Sequence, residues 1–258
     1  MSLYRTIVTI AALSTILWAN AAFAEPASCS SATDRACIAN RIVADADSIT
    51  EENWRDQTLR DAASSLTYDG RIDDAIALIA KIKNPDTKAM TIRAIGMAAA
   101  LYGHDSPPTL RAIFIKLDKA ATTIEQPDAH AIAYTYIAMA QAFAGLDEDA
   151  WVTAASMSNA ALKHKAFGET AEIQAERGDL AAAMKSIGYI DIDSYRNKAY
   201  ANVAEILIKS GKFDDALASG QAITNPMKRA QVLQEILKAQ EEKNRGPRKD
   251  AAVKDPAP

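Results

Sequence analysis

A 33-residue period constrains this chain more than any other feature. Glycines stand at 145, 178 and 211, each 33 residues from the next, and Gly70 and Gly103 repeat the interval. The step from Gly103 to Gly145 is 42, and a nine-residue insertion, HDSPPTLRA, accounts for the excess. The residues after each glycine repeat as well. Gly70 opens GRIDDAIALIAKIKNPDTKA and Gly211 opens GKFDDALASGQAITNPMKRA, which share Asp-Asp-Ala, an isoleucine twelve residues on, and Asn-Pro. Gly178 carries Ile190 at that place and Gly145 carries Met157, while Ile124 restores the register past the insertion. A unit this short cannot bury an apolar face alone, so such units must stack, and the expected fold is a solenoid.

Each unit reads as two helices around the glycine. Asp214 and Asp215 fall where carboxylates suit the positive end of a helix. Ala216, Leu217, Gly220 and Ile223 then share a helical face, and Asn225-Pro226 is expected to end that helix, because proline disfavours helical geometry in the residue before it. Eleven residues before each glycine stand Leu59, Ile92, Tyr134, Phe167 and Tyr200. Eight before stand Ala62, Ile95, Ile137, Thr170 and Val203, and seven before stand Ala63, Gly96, Ala138, Ala171 and Ala204. Five after comes another small column, Ala75, Ala150, Ala183 and Ala216. Small residues facing small residues let two helices approach closely, ridge into groove. Helices are expected over 34–49, 51–68, 71–83, 86–102, 108–125, 128–144, 147–159, 161–177, 179–190, 194–210, 212–224 and 227–243, an all-α fold with short turns between antiparallel neighbours.

A bulky residue, an apolar and a small one three and four places on, a turn glycine and then Asp-x-Ala resembles the tetratricopeptide repeat (TPR). Tyr200, Val203, Ala204, Gly211, Phe213, Asp214, Ala216 and Leu217 carry the likeness best, and it extends over roughly residues 34 to 243. The chain departs from that pattern in its period of 33, in prolines that come about two positions early (Pro85, Pro226), and in the Pro-Pro insertion. The resemblance implies a right-handed superhelix of about six helix-turn-helix repeats whose relatives bind peptides or helices in a concave groove. In such repeats the groove is lined from the first helix, at positions ten, six and three before the glycine. Carried onto this chain, those positions include Arg60, Arg93, Met97, Met139, Glu172 and Glu205, with Tyr68, Leu101 and Phe143 one residue beyond the third. The groove would be apolar and methionine-bearing in its middle and charged toward both ends, suited to an extended peptide or an amphipathic helix. A structural alternative stands beside this: Met97, Met139 and Phe143 would fill the tight inside of the curve.

Arg5, an apolar run from Ile7 to Trp18 and the small-x-small exit Ala22-Phe23-Ala24 read as a signal peptide over 1–24. Its removal shifts the formal charge from −4 to −5, a balance that does not favour nucleic acid, and no later stretch is long and apolar enough for membrane insertion. Export, to a periplasm or beyond, makes Cys29 and Cys37, the two cysteines of the chain, an expected disulfide. It would pin the leading end of a half-repeat over 34–49 that caps the stack. The segment 244–258 is polar, proline-bearing and aperiodic, and is expected to be a disordered tail.

Catalytic, cofactor and metal motifs are not found. His104, His130 and His164 are scattered, and no HExxH, G-x-S-x-G or phosphate-cradling loop occurs. The acidic pairs Asp73-Asp74, Glu148-Asp149 and Asp214-Asp215 fall at starts of second helices, where capping explains them. The pair Glu169 and Glu172 lies elsewhere. A glycosidase would need an acid and a base facing each other across an aromatic groove, and it ranks last. The reading is a non-enzymatic adaptor binding a protein or peptide, with self-association through an exposed terminal helix as the alternative. One column asks for its own account: Arg55, Lys88, His130, Lys163, Arg196 and Arg229 recur fifteen residues before each glycine or its 33-residue image. They either clasp the negative end of the preceding helix or form a cationic ladder for an acidic partner.

Overall fold

The computed structural model describes residues 28–102 and 106–245. The expected signal peptide, the turn at Gly103 and residues 246–258 of the expected tail lie outside the described residues. Twelve helices are present among those described, and no strand: α1 (Arg35–Ser48), α2 (Glu52–Tyr68), α3 (Ile72–Lys81), α4 (Pro85–Tyr102), α5 (Pro107–Ala121), α6 (Pro127–Phe143), α7 (Asp147–Ala155), α8 (Ala160–Arg177), α9 (Leu180–Gly188), α10 (Asp193–Lys209), α11 (Phe213–Gln221) and α12 (Pro226–Arg245). None is long and apolar enough to cross a membrane.

The four described repeat glycines all take positive φ, +75° at Gly70, +76° at Gly145, +87° at Gly178 and +71° at Gly211. Each closes the same pair of hydrogen bonds. The glycine N–H donates three residues back and the next N–H donates five back, as in Gly178 to Ala175 O (2.9 Å) and Asp179 to Gln174 O (2.8 Å). This is a Schellman cap, and it needs a left-handed residue that glycine supplies without a Cβ penalty.

The second helices end earlier than the periodicity suggested. α7, α9 and α11 have nine residues each, and Ile223 lies beyond α11 rather than on its face. The Asn-Pro pairs do not end these helices; they begin the next ones. Pro85 and Pro226 are the first residues of α4 and α12, and the Asn84 and Asn225 side chains accept from Thr87 N (2.9 Å) and Lys228 N (3.0 Å). Asparagine suits the N-cap and proline the first helical position, where a backbone N–H would go unpaired in any case. Gln126 and Asn159 cap α6 and α8 in the same way. Helix α12 also runs two residues into the expected tail, to Arg245.

The even-numbered helices pack successively on one another, α2 on α4 and so on to α12, and form one continuous layer. The odd-numbered helices pack on the even helices that flank them, and α3 also meets α5. The small columns line these contacts: Ala63, Ala138, Ala171 and Ala204 are fully buried, as are Ala75, Ala150, Ala183 and Ala216. The column twelve after the glycine (Ile82, Met157, Ile190, Ile223), with Ile124, is buried too and seals the foot of each unit. The core forms two clusters that meet on α6, with Ile137 and Ala140 in the first, Ala138 and Ala142 in the second, and Tyr134 and Tyr136 packed against both. Cys29 and Cys37 are joined, with S–S 2.06 Å, so the segment before α1 is tied to its first turn.

Candidate functional site

Side chains from four successive even helices converge on one face. Arg93 of α4 lies over the Tyr136 ring of α6, 5.5 Å from its centroid. Its charge is also felt at Glu169 of α8. Burial raises the Glu169 carboxyl above its ordinary range; Lys165 and Arg93 pull it down, and Glu172 one turn along pushes it up. Glu172 accepts from Asn202 Nδ2 of α10 at 2.6 Å. A cleft of about 420 Å³ opens here between α8 and α10, walled by Leu162, His164, Gly168, Glu169, Glu172, Tyr195 and Asn202, with Lys165 and Lys198 at its rim.

The structure brings part of the sequence-derived set to this face and leaves part elsewhere. Arg93, Glu172 and the exposed Glu205, which pairs with Lys209 at 2.7 Å, stand along α4, α8 and α10. Arg60 pairs with Asp61 and reaches Met90 Sδ on α4 at 3.9 Å. Tyr68 and Leu101 are exposed at the ends of α2 and α4, where Tyr68 meets Tyr102 edge to face and carries the Arg35 guanidinium 4.5 Å above its ring. Met97 and Phe143 are half-buried against the core. Met139 is only 9 % exposed and belongs to the core, so it offers a ligand almost no surface. A flexible thioether folds into the apolar interior where the glutamates at the same position in the next two units stay outside.

The basic column divides. Arg196 and Arg229 each donate to the carbonyl that follows the preceding short helix, Ile190 O and Ile223 O, both at 2.8 Å. These two are clasps between units. Arg55 pairs with Glu52 and Asp56 instead, and His130 packs its ring 4.8 Å from that of Tyr134. Three carboxylates of the acidic pairs at helix starts are engaged as well, Asp73 with Lys116 (2.6 Å), Asp74 with Arg71 (2.7 Å) and Asp149 with Arg111 (2.7 Å). That accounts for the larger cleft beside Tyr68 and Lys116, about 600 Å³, whose charged lining residues Arg71, Asp73, Asp74 and Lys116 pair with one another.

Sequence reasoning missed the column one residue further on. Asp56, His164 and Asn197 are buried there, in register with Ala89, Ala131 and Ala230 of other units. Asp56 Oδ2 accepts from Lys83 N (2.9 Å) and Asn84 N (2.8 Å), and Asn197 Oδ1 accepts from Thr224 N (2.8 Å), so each holds the loop that leads into the next even helix. His164 faces the equivalent loop, with Nε2 3.8 Å from Asp191 Oδ2, but its Nδ1 has no hydrogen-bond partner among the described residues. A polar residue at a position that is otherwise alanine was the available signal. A second missed pair recurs at the 33-residue interval: Thr153 donates to Gln141 (2.8 Å) and Ser186 to Gln174 (2.6 Å), and the latter continues to Trp151 and Asp147.

Among the described residues no group of three or more His, Cys, Asp or Glu side chains is arranged to hold a metal ion. No protein-family model matches this chain, and no curated protein matches it closely enough to count as a relative.

Proposed function

We propose that this chain is an exported, non-catalytic adaptor with a TPR-like superhelical arrangement, and that it binds an extended segment of another polypeptide across the face of its even-numbered helices. The carrying observation is the convergence of Arg93, Tyr136, Glu169, Glu172 and Asn202 from four successive helices on that face. Side chains that meet from separate units can read several residues of one ligand at once. The face is also graded, basic at Arg60 and Arg93 and acidic at Glu169, Glu172 and Glu205, which suits a ligand bound in one direction. The disulfide is in keeping with an oxidising compartment. Helix α12 exposes Met227 and Leu237 among the polar Gln231, Gln234, Lys238 and Glu241, and self-association through that helix is the alternative reading.

The test is titration of a partner captured from periplasmic extract against three double variants, each verified as folded by circular dichroism. Leu101→Ala with Phe143→Ala is expected to weaken binding by about 2 kcal/mol. Arg60→Ala with Arg93→Ala slows association and lowers its salt dependence. Lys81→Ala with Lys83→Ala, on and just after α3, does neither. Equal affinity for all three would remove this face from the function.

A further inference from the structure

The cleft between α8 and α10 holds two carboxylates, Glu169 and Glu172, with the lysines Lys165 and Lys198 also in its lining. Glu172 is held by Asn202 through one carboxylate oxygen, and the other has no hydrogen-bond partner among the described residues. Glu169 lies three residues away on the same helix and is half-buried, its carboxylate 3.5 Å from the ammonium of Lys165, a side chain that is itself 54 % exposed. Burial, and to a lesser degree the charge of Glu172, hold the Glu169 proton more tightly than usual, while Lys165 works against them. The third feature is independent of the acid pair. His164 forms part of the cleft wall, is 4 % exposed, and leaves Nδ1 unpartnered. Leu162 and the ring of Tyr195 supply the apolar and aromatic walls.

Two carboxylates, a buried imidazole nitrogen without a partner, an aromatic ring and a weakly held exposed ammonium describe a receptor for a cation with several donors. We propose that this cleft takes an arginine side chain of the bound polypeptide, its guanidinium on Glu169 and Glu172 and its stem against Leu162 and Tyr195. Guanidinium fits better than ammonium here. Its planar fork offers donors to two carboxylates at once, it stacks on aromatic rings, and it sheds water more readily. Lys165 is the chain's own occupant of this position, displaced when the ligand's arginine enters, and Lys198 at the rim is left to face an acidic neighbour of that arginine. The cleft volume, about 420 Å³, lies within the range of sites that enclose a small group. The inference rests on the proposed reading of this face as a polypeptide-binding one.

Its test uses small probes, so that it stands apart from capture of any partner. Protein made from the complete sequence and labelled with ¹⁵N is titrated with N-acetyl-arginine amide, with the lysine analogue, and with the neutral citrulline analogue. The arginine probe is expected to cause saturable shifts at Gly168 and at the Asn202 side-chain amide, the lysine probe weaker ones, and citrulline none. Glu169→Gln and Glu172→Gln should each weaken the arginine response by roughly tenfold or more, as expected for loss of one partner in a hydrogen-bonded charge pair. Glu148→Gln, exposed on α7 and outside the cleft, should leave it unchanged. An equal response to citrulline, a response that survives both glutamine variants, or no saturable shift at all would overturn the assignment. If the probes behave as expected while no polypeptide binds the even face, the cleft stands and the wider function falls. If a polypeptide binds there and its affinity ignores arginine-to-citrulline replacement, the reverse holds.

Discussion

A Cβ atom built on Gly96 of α4 would lie 2.9 Å from the Cβ of Ala140 on α6, closer than two such carbons come in practice. The same added atom would sit 3.5 Å from both Leu117 and Phe114 of α5, so the neighbours leave it little room to shift. Gly168 occupies a comparable helical setting in α8, but there the nearest atom, Ala199 Cβ, is at an ordinary 3.8 Å. Gly96→Ala should therefore lower the melting temperature: overpacking costs ~1–3 kcal/mol and outweighs the gain of about 1 kcal/mol in helix propensity. Gly168→Ala should raise it by the propensity term alone. Thermal melts of the two variants side by side decide the matter, and a rise for both would mean that α4 and α6 are less closely apposed.

The clasps at Arg196 and Arg229 give the second prediction. Removing either arginine leaves a carbonyl after a short helix without its charged donor, a loss of roughly 1.5–3 kcal/mol. Lys163 occupies the same column, where its backbone N–H donates to Asn159 O (2.8 Å) but its side chain makes no ion pair or hydrogen bond among the described residues, so Lys163→Ala should stay within about 0.5 kcal/mol of the parent. Urea unfolding of the three alanine variants measures this. Equal losses at all three positions would restore a single role for the column.

The bond between Cys29 and Cys37 closes a loop short enough that chain entropy gives it roughly 2–3 kcal/mol. Because each unit touches only its neighbours, Cys37→Ser should speed amide exchange in α1 and leave α6 to α12 protected as before. Hydrogen exchange read by mass spectrometry gives both halves of that result. Two alkylated thiols in the unreduced protein would instead show that the pair is open.

Glu169 makes stability depend on pH in a stated direction. Its carboxyl is raised in the folded chain, chiefly by burial, so the folded state binds the proton more tightly than the unfolded state does. Stability contributed by that proton is complete below the unfolded value and is lost as pH rises through the folded one. Glu169→Gln should therefore melt higher than the parent at neutral pH, and the difference should vanish below pH of about 4, where both states of the parent are protonated. A lower melting temperature at neutral pH would mean that the exposed pair with Lys165 outweighs burial.

The helices, their number, and the pairing of each long helix with a short one were legible because they follow from local rules. A glycine every 33 residues sets a left-handed cap, and the bulky, apolar and small columns before it bury one stripe. Those are properties of adjacent residues, and a repeat states them several times over. The ends of the short helices were not legible in the same way. Asn84-Pro85 and Asn225-Pro226 satisfy a helix stop and a helix start equally well, and only the capping bonds to Thr87 and Lys228 decide between them.

The same limit applies to side chains whose role depends on a neighbour two helices away. The column position alone does not separate Arg196, which clasps a carbonyl, from Lys163, whose side chain does not. The sequence by itself determined the unit, its period and its buried stripes, since these rest on the spacing of residues along one chain segment. Which side chains of α4, α6, α8 and α10 share one face, and that His164 is left with an unpaired buried nitrogen, was decided by how the units stack. Residues far apart in the chain acquire a distance only when the helices between them are packed.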